Sequence, residues 1–520
     1  MSNRAEPIRS VKGTRDLLPC ETALWQRVED EARRVFAAYN FREIRTPILE
    51  QTALFARSVG ADTDIVTKEM YTFEDHDRPD LGELRAAIRA RKLSIGNYSG
   101  VSWHKEQIET LISELNEAMA AGELPKTPEN ERVLSDLPQA LQALEQSRDG
   151  QGFDHNLDWV RQLMDTLRIG DSLTLRPEAT ASVVRAYIEH TMYNEGGIHK
   201  LYYIGPMFRR ERPQKGRYRQ FYQIGAEVLG SDHPTIDAEF LEMLALFLER
   251  VGVREYKLLL NSVGCPKCRP AFVEVLRQAL EKVKDQMCGD CQRRAETNPL
   301  RVLDCKVEAD QPVIENLPHI IDHLCPECGA HFDHVTKELQ QRGVPYEITP
   351  RLVRGLDYYT RTTFEMTSDV LGAQNAFLGG GRYDGLSEMI GGPPTPGFGV
   401  AIGEDRLLLM VEQAATLKAG DALDVFVAWM GDTAQQPAMQ LVKTLRQDGL
   451  RVESNYEAAK LKKSLGQANK LGARFAVIIG EGELASGRYQ VKDMAAAQQE
   501  EVEPERIAAY VKEKSQKGSH

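Results

Sequence analysis

The sequence predicts an α+β protein: an antiparallel sheet flanked by helices, interrupted by helical insertions and followed by a small α/β domain. Three observations carry that expectation. The apolar runs KLYYIGPMF and RQFYQIGAEVLG are joined by a short basic loop, which makes them antiparallel neighbours. An amphipathic helical stripe follows, with Ile236, Phe240, Met243, Leu244, Phe247 and Leu248 on one face. After Ala419-Gly420, strand-like and helix-like segments alternate at short spacing, the pattern of a domain with its own sheet.

Each element can be justified in chain order. Leu24, Val28, Ala32, Val35 and Phe36 recur at helical spacing and predict an amphipathic helix ending near Tyr39. FREIRTPILE reads as one strand, held to an edge or strained position by Pro47. MYTFED (70–75) and SLTLRPE (172–178) both alternate and read as partners of a single hairpin, whose tip carries residues 78–170. In that insertion Ile108, Leu111, Ile112, Leu115 and Met119 form one helical stripe. Leu157, Val160, Leu163, Met164 and Leu167 form another, and Pro125, Pro128, Gly150 and Gly152 read as breaks. The segment is either a self-packed decoration or a contact for a partner subunit or substrate. Helical periodicity returns at 179–194 and 236–251, and residues 261–344 form a cysteine-rich helical insertion. TFEMTSD, the glycine-rich LGGGRYDGL and GFGVAIGEDRLLLMVE follow, the last a small-residue strand feeding a helix. Beyond residue 420 come DVFVAWM, a helix near 436–448, RVESNY, a helix near 458–471, FAVIIG, RYQVKDM and a final helix. The expected domains are a core from 1–77, 171–260 and 345–415, insertions at 78–170 and 261–344, and an α/β domain at 421–515.

With 520 residues, 42% hydrophobic and 27% charged, the chain is that of a globular protein too long for one ordinary core. No apolar run approaches the roughly 20 residues of a membrane span, and MSNRAEPIRSVKG lacks a secretory apolar stretch. The expectation is a cytosolic protein, whose eight cysteines serve as thiols or metal ligands rather than disulfides. A net charge of -12 argues against a surface coated with nucleic acid. Local contact remains open, because screening confines phosphate attraction to about 8 Å.

Against that acidic background, six of the eleven positions from Arg209 to Arg219 are Arg or Lys. Arginine's planar fork matches phosphate oxygens, and Tyr218 and Phe221 add surface on which a base can stack. The bland alternative is a solvated charged turn. The stretch GPMFRRERPQKGRYRQFYQIGAE resembles motif 2 of class II aminoacyl-tRNA synthetases. VKGTRDLLP, TLRPEATASVVRAYIEH, RGLDYYTRTTFEM, GGGRYDGL and GFGVAIGEDRLLL together resemble the histidyl-tRNA synthetase family over nearly all the chain outside 78–170. RGLDYYTRTTFE and GGGRYDGL are the most specific, resembling that family's two histidine-binding signatures.

The resemblance implies a class II catalytic core with a C-terminal anticodon-binding domain, acting on ATP with Mg2+, L-histidine and tRNA(His). By match, Arg209 and Arg354 flank the α-phosphate as the catalytic cations, and Arg406 holds the γ-phosphate. Arg217 is a further ATP ligand, and Gln214, Lys215 and Arg217 face the tRNA acceptor end. Glu227 and Tyr359 match imidazole ligands, with Tyr358 and Tyr383 nearby, while Glu178, Thr180 and Gln223 match the α-ammonium ligands. Glu211 and Glu227 are candidate Mg2+ ligands. Tyr358 and Tyr383 also suit core positions, and Thr180 also suits a helix cap. Members of the family are homodimers whose interface uses motif 1, matched by the helix and strand around FREIRTPILE. Two departures are small: Ala179 stands where relatives often have glycine, and Asp405 precedes the motif 3 arginine. A regulatory paralogue without catalysis, such as the ATP phosphoribosyltransferase regulatory subunit, is the rival class; it lacks the anticodon-binding domain.

Seven cysteines fall within 64 residues as CPKC, CGDC, LDCK and CPEC. Cys-x-x-Cys pairs suit tetrahedral Zn2+. A helix from Pro270 to Lys284 separates CPKC from CGDC by about 20 Å at 1.5 Å per residue, so the two pairs do not share an ion. Cys265, Cys268, Cys325 and Cys328 are therefore the preferred structural zinc site. Cys288, Cys291 and Cys305 are an incomplete second site or plain buried thiols, and Cys20 stands alone.

Overall fold

The computed structural model describes residues 8–60, 63, 65–75, 101–121, 124, 127–147, 150–168, 172–214, 216–372, 375–414 and 423–517. It divides into two compact units, Met1–Leu18 with Leu24–Leu417, and Pro19–Ala23 with Lys418–His520.

The strands of the first unit are β1 (Arg42–Glu43), β2 (Leu49–Gln51), β3 (Tyr71–Glu74), β4 (Ser172–Leu175), β5 (His199–Phe208), β6 (Gln220–Leu229), β7 (Lys257–Ser262), β8 (Glu347–Ile348), β9 (Thr360–Thr367), β10 (Ala376–Arg382) and β11 (Gly397–Gly403). Eight form one sheet in the order β1-β5-β6-β11-β10-β9-β7-β8. Only its two edge pairings, β1 with β5 and β7 with β8, are parallel. Alternation along β6 sends Ile224, Ala226 and Val228 to one face, where they meet the helices Pro19–Ala38, Pro234–Arg250 and Glu404–Ala414. On the other face Leu201, Tyr203 and Leu229 pack with helix Thr180–Glu189 and with Phe272, Leu276 and Val302 of the cysteine-rich segment.

FREIRTPILE is not one strand. Its two ends enter different sheets, β1 beside β5 and β2 beside β4, on either side of Pro47, which has no N–H to continue a ladder. The carbonyls of Thr46 and Pro47 are instead taken by the buried Arg176 guanidinium, at 2.9 and 3.4 Å. β3 and β4 pair antiparallel, Tyr71 opposite Leu175, as the alternation predicts. Among the described residues between them in sequence lie three helices, one more than the two apolar stripes mark: Val101–Ala121, Pro128–Glu145 and Gly150–Thr166. Pro128 opens the middle one instead of breaking it. Thr127 caps that helix, accepting from Asn130 N–H at 3.1 Å, and proline's fixed φ suits the first helical position. Val133, Leu137, Ala140 and Leu144 are its buried stripe in a core shared with Ile108, Leu111, Val160 and Leu163. The helix expected at 179–194 stops at Glu189, because Thr191 turns left-handed at φ 49° before a 3-10 turn at Met192–Glu195.

The second unit holds β12 (Val425–Trp429), β13 (Val452–Ser454), β14 (Phe475–Ile479), β15 (Tyr489–Asp493) and β16 (Gln499–Val502), in the order β13-β12-β14-β15-β16. β12, buried throughout, is central between parallel neighbours β13 and β14. β16 has no apolar alternation; it is a charged edge strand, which is why its sequence does not read as β. Among the described residues no helix is long and apolar enough to cross a membrane.

Candidate active site

The β5–β6 hairpin presents the basic loop, closed by Arg209 N–H on Arg219 carbonyl at 2.9 Å and tightened by the mutual pairing of Gln214 and Arg217. At its foot opens a cavity of about 270 Å³. Arg209 and Arg217 of this loop line it together with Arg354 and Arg406, which come from two other stretches of chain. Gln214 does not line it, and Lys215 lies outside the described residues.

Each guanidinium has a fixed setting. Arg209 donates to Pro177 carbonyl at 2.9 Å, lies 5.3 Å from the Phe221 ring centroid and sits 3.7 Å from Glu211. Arg217 donates to Glu211 at 2.9 Å. Arg354 pairs with Glu365 and lies 5.7 Å from the Tyr359 centroid. Burial alone would lower its pKa, but Glu365 and Tyr359 raise it. It rests on β10 over Gly379, where a Cβ would stand 2.5 Å from its Nη1 and push the guanidinium aside. Arg406 donates to Ala376 carbonyl. Asp405 before it accepts from Tyr222 N–H and from Arg15, both at 3.2 Å. That pairing ties the N-terminal KGTRD stretch to the hairpin and gives the motif 3 departure a use. Ala179 also fits: its φ of -118° demands no glycine.

The remaining lining includes Glu178, Thr180, Gln223, Tyr358 and Tyr359. Glu178 accepts from the N–H groups of Thr180 (2.7 Å) and Ala181 (3.1 Å), so it, rather than Thr180, serves the helix N-terminus. Burial raises its pKa, against those two bonds and Arg209. Thr180 Oγ1 donates instead to Glu227 Oε1 at 2.8 Å. Glu227 and Tyr383 lie outside the lining, with Tyr383 donating to Glu227 Oε2. Burial drives the Glu227 pKa well up, partly offset by the Tyr383 and Thr180 hydroxyls. Fully buried, outside the cavity lining and with both oxygens taken by hydroxyls, Glu227 is poorly placed to hold Mg2+. It faces Gly399 across the β6–β11 ladder, where a Cβ would stand 1.7 Å from Oε2. The Tyr358 ring lies tilted 4.7 Å from Tyr359 and edge-on 5.8 Å from Tyr383, an aromatic cluster serving core and pocket together.

Sequence reasoning missed Glu365, the Arg354 partner in the pocket. The signal was there: it alternates with buried Phe364 and Met366 on β9 and must face the other way.

The cysteines form two separate clusters. Cys265 Sγ lies 3.8 Å from both Cys268 and Cys325, and Cys268 lies 3.9 Å from Cys328. A tetrahedron with Zn–S of about 2.3 Å has edges of about 3.8 Å, so these thiols fit the ion. Cys288, Cys291 and Cys305 gather elsewhere, with Asp310.

Residues 137–407 match the family model of histidyl-tRNA synthetase, and residues 424–514 match that of an anticodon binding domain. The chain is 49% identical over 510 residues to a histidine–tRNA ligase of Koribacter versatilis (strain Ellin345), covering 97% of this chain and 96% of that one. It is 47% identical over 503 residues to one of Solibacter usitatus (strain Ellin6076), covering 96% and 98%. Its fold is similar to that of apo histidyl-tRNA synthetase from S. aureus, with a TM-score of 0.68, 32% identity, and coverage of 97% of this chain and 100% of that one. The chain belongs to the histidyl-tRNA synthetase family.

Proposed function

We propose that the arginine-lined cavity is where this protein carries out the reaction of its family, ATP-dependent activation of L-histidine followed by transfer to tRNA(His). The observation that carries the residue assignment is the gathering of Arg209, Arg217, Arg354 and Arg406 around one cavity that also holds Glu178, Thr180 and Gln223. Histidine's carboxylate oxygen attacks the α-phosphorus of ATP, an oxygen–phosphorus bond forms, and pyrophosphate leaves with the other bond's electron pair. The attacking carboxylate is already ionised, so no general base is needed. Negative charge grows on the phosphoryl oxygens, and fixed guanidinium groups in a partly closed cavity stabilise it. Arg209 and Arg354 take the α-phosphate, Arg217 and Arg406 the rest of the triphosphate, each exchanging a protein partner for phosphate. Mg2+ accompanies the ATP; Glu211 and Glu365 are the carboxylates beside these arginines that suit it. Phe221 offers a ring for the adenine.

Glu178, with Thr180 and Gln223, receives the α-ammonium. The imidazole reaches Glu227, once Thr180 or Tyr383 yields it, and Tyr359. A pocket whose buried polar groups need a partner rejects substrates that lack one by roughly 10⁴. Gln214, Lys215 and Arg217 serve the acceptor end of tRNA, and residues 421–515 its anticodon.

Purified protein should catalyse ATP–pyrophosphate exchange that requires histidine; exchange absent, or indifferent to the amino acid, would overturn the assignment. In the same assay Glu227→Gln should raise the histidine KM by about 10–100-fold, the cost of roughly 1–3 kcal/mol for a buried polar group left mispaired. We further propose a cytosolic homodimer joined through the motif 1 segment around Arg42–Gln51; a monomeric mass by sedimentation would remove that proposal.

A further inference from the structure

Outside the cavity, the most organised chemistry lies in the second cysteine cluster. The ligand atoms of Cys288, Cys291, Cys305 and Asp310 all lie within 4.8 Å of one another. Cys288 Sγ is 3.9 Å from Cys305 Sγ, far beyond the roughly 2.05 Å of a disulfide. Cys305 Sγ is 3.3 Å from Asp310 Oδ2. Zn–S bonds of about 2.3 Å and a Zn–O bond of about 2.0 Å give tetrahedral edges of about 3.8 Å between sulfurs and about 3.5 Å from sulfur to oxygen. Asp310 is 2% exposed and no lysine or arginine pairs with it among the described residues; besides the thiols, Cys288 N–H reaches both its oxygens, at 3.1 and 3.2 Å. A carboxylate enclosed by three thiols is the donor set of a cation, not of an apolar core. Val307 N–H donates to Cys305 Sγ at 3.4 Å, the kind of outer bond that supports a metal-bound thiolate.

Where this cluster sits gives it a consequence. Between Cys291 and Cys305 runs the 3-10 segment Pro299–Asp304. Its Arg301 donates to Gly355 carbonyl at 2.5 Å and lies 3.8 Å from Asp357. Gln311, next to Asp310, donates to Cys305 carbonyl at 2.8 Å and accepts from Arg351 at 2.7 Å. Both sides of Arg354 in the chain are thus hung on the ligand-bearing segment. From the other cluster, Arg269, which follows Cys268, donates to Tyr359 carbonyl.

We propose that Cys288, Cys291, Cys305 and Asp310 bind a second zinc ion, distinct from the one at Cys265, Cys268, Cys325 and Cys328, and that it positions the Arg354 loop through Arg301. Binding releases the three thiol protons to solvent and leaves the ion with two net charges from the metal against four from its ligands. The positioning part rests on the ATP role assigned to Arg354; the metal part does not.

The test uses the full-length protein purified without chelators. Elemental analysis should find two zinc ions per chain, and zinc-edge X-ray absorption seven sulfur ligands to one oxygen over both ions, the donor count of the two clusters. Cys288→Ala with Cys305→Ala should leave one ion and only sulfur ligation, and Cys265→Ala with Cys325→Ala should also leave one. A single ion in the parent protein, or a zinc content unmoved by the first pair, overturns the second site; the parent measurement decides even where a variant fails to fold. Arg301→Ala should keep both ions yet raise the ATP KM about tenfold in exchange, with Arg301→Lys recovering part; unchanged kinetics overturn the positioning role. If the parent shows no histidine-dependent exchange, the ATP assignment fails while a count of two ions still stands.

Discussion

Arg354→Ala should lower histidine-dependent ATP–pyrophosphate exchange by about 10³-fold, with the loss in kcat and little change in the histidine KM. The reason is geometric as well as electrostatic. Arg354 is held by Glu365, by the Tyr359 ring and by the bare backbone of Gly379, so its charge is oriented before substrate arrives. A preorganised cation in a partly closed cavity needs no rearrangement as charge develops, and that is where its advantage over water lies. Water admitted by the shorter side chain cannot replace it. Lysine would restore the charge without the fork, so Arg354→Lys should recover only a small part. Exchange by the alanine variant within about tenfold of the parent would remove Arg354 from the phosphate-binding role, provided circular dichroism and melting show an intact fold.

The largest expected effect on stability comes from a residue that touches no substrate. Asp237→Ala should destabilise the protein by about 3–5 kcal/mol, measured as a lowered denaturant midpoint. Asp237 on helix Pro234–Arg250 is fully buried and pairs with Arg382, itself fully buried at the end of β10. His331 of helix Pro326–Gln341 joins them, its Nε2 2.9 Å from Asp237 Oδ2. Removing the carboxylate leaves the Arg382 guanidinium with Ser231 carbonyl at 2.9 Å, Asp384 at 3.1 Å and the Phe398 ring at 5.7 Å. A buried charge stripped of its main partner is what makes such deletions costly. Burial alone would raise the Asp237 pKa, but Arg382 and His331 outweigh it and hold it below the ordinary carboxylate value. The contribution is therefore present above the unfolded pKa of about 3.9 and is lost as pH falls through the lower folded value. Acid unfolding below about pH 4 should weaken in Asp237→Asn, which has no such proton to take up. An alanine variant as stable as the parent would contradict this account.

Neighbouring residues of one motif can point to different places, as Arg382 and Tyr383 do. GGGRYDGL resembles a histidine-binding signature, and Tyr383 does meet Glu227. The arginine between them faces away from the cavity and locks three elements together. Pattern identifies a segment; it does not tell which way each side chain points. The same limit explains FREIRTPILE, where alternation was visible but the division between two sheets was not, because pairing partners lie far away in sequence.

By itself the sequence determined the local and the chemical: amphipathic helices from their 3.6-residue stripes, the β5–β6 hairpin from its apolar runs, a strongly basic loop between them, and two cysteine groups from the helix that separates them. These depend on residue type and short spacing, which a linear string records in full. Tertiary structure alone decided the partnerships across long intervals: Asp405 with Arg15, Glu365 opposite Arg354, Thr180 on Glu227, and Asp310 as the fourth member of its cluster. Such pairings arise because chain closure brings any two buried polar groups together wherever they can satisfy each other, and no periodicity in the sequence marks them beforehand.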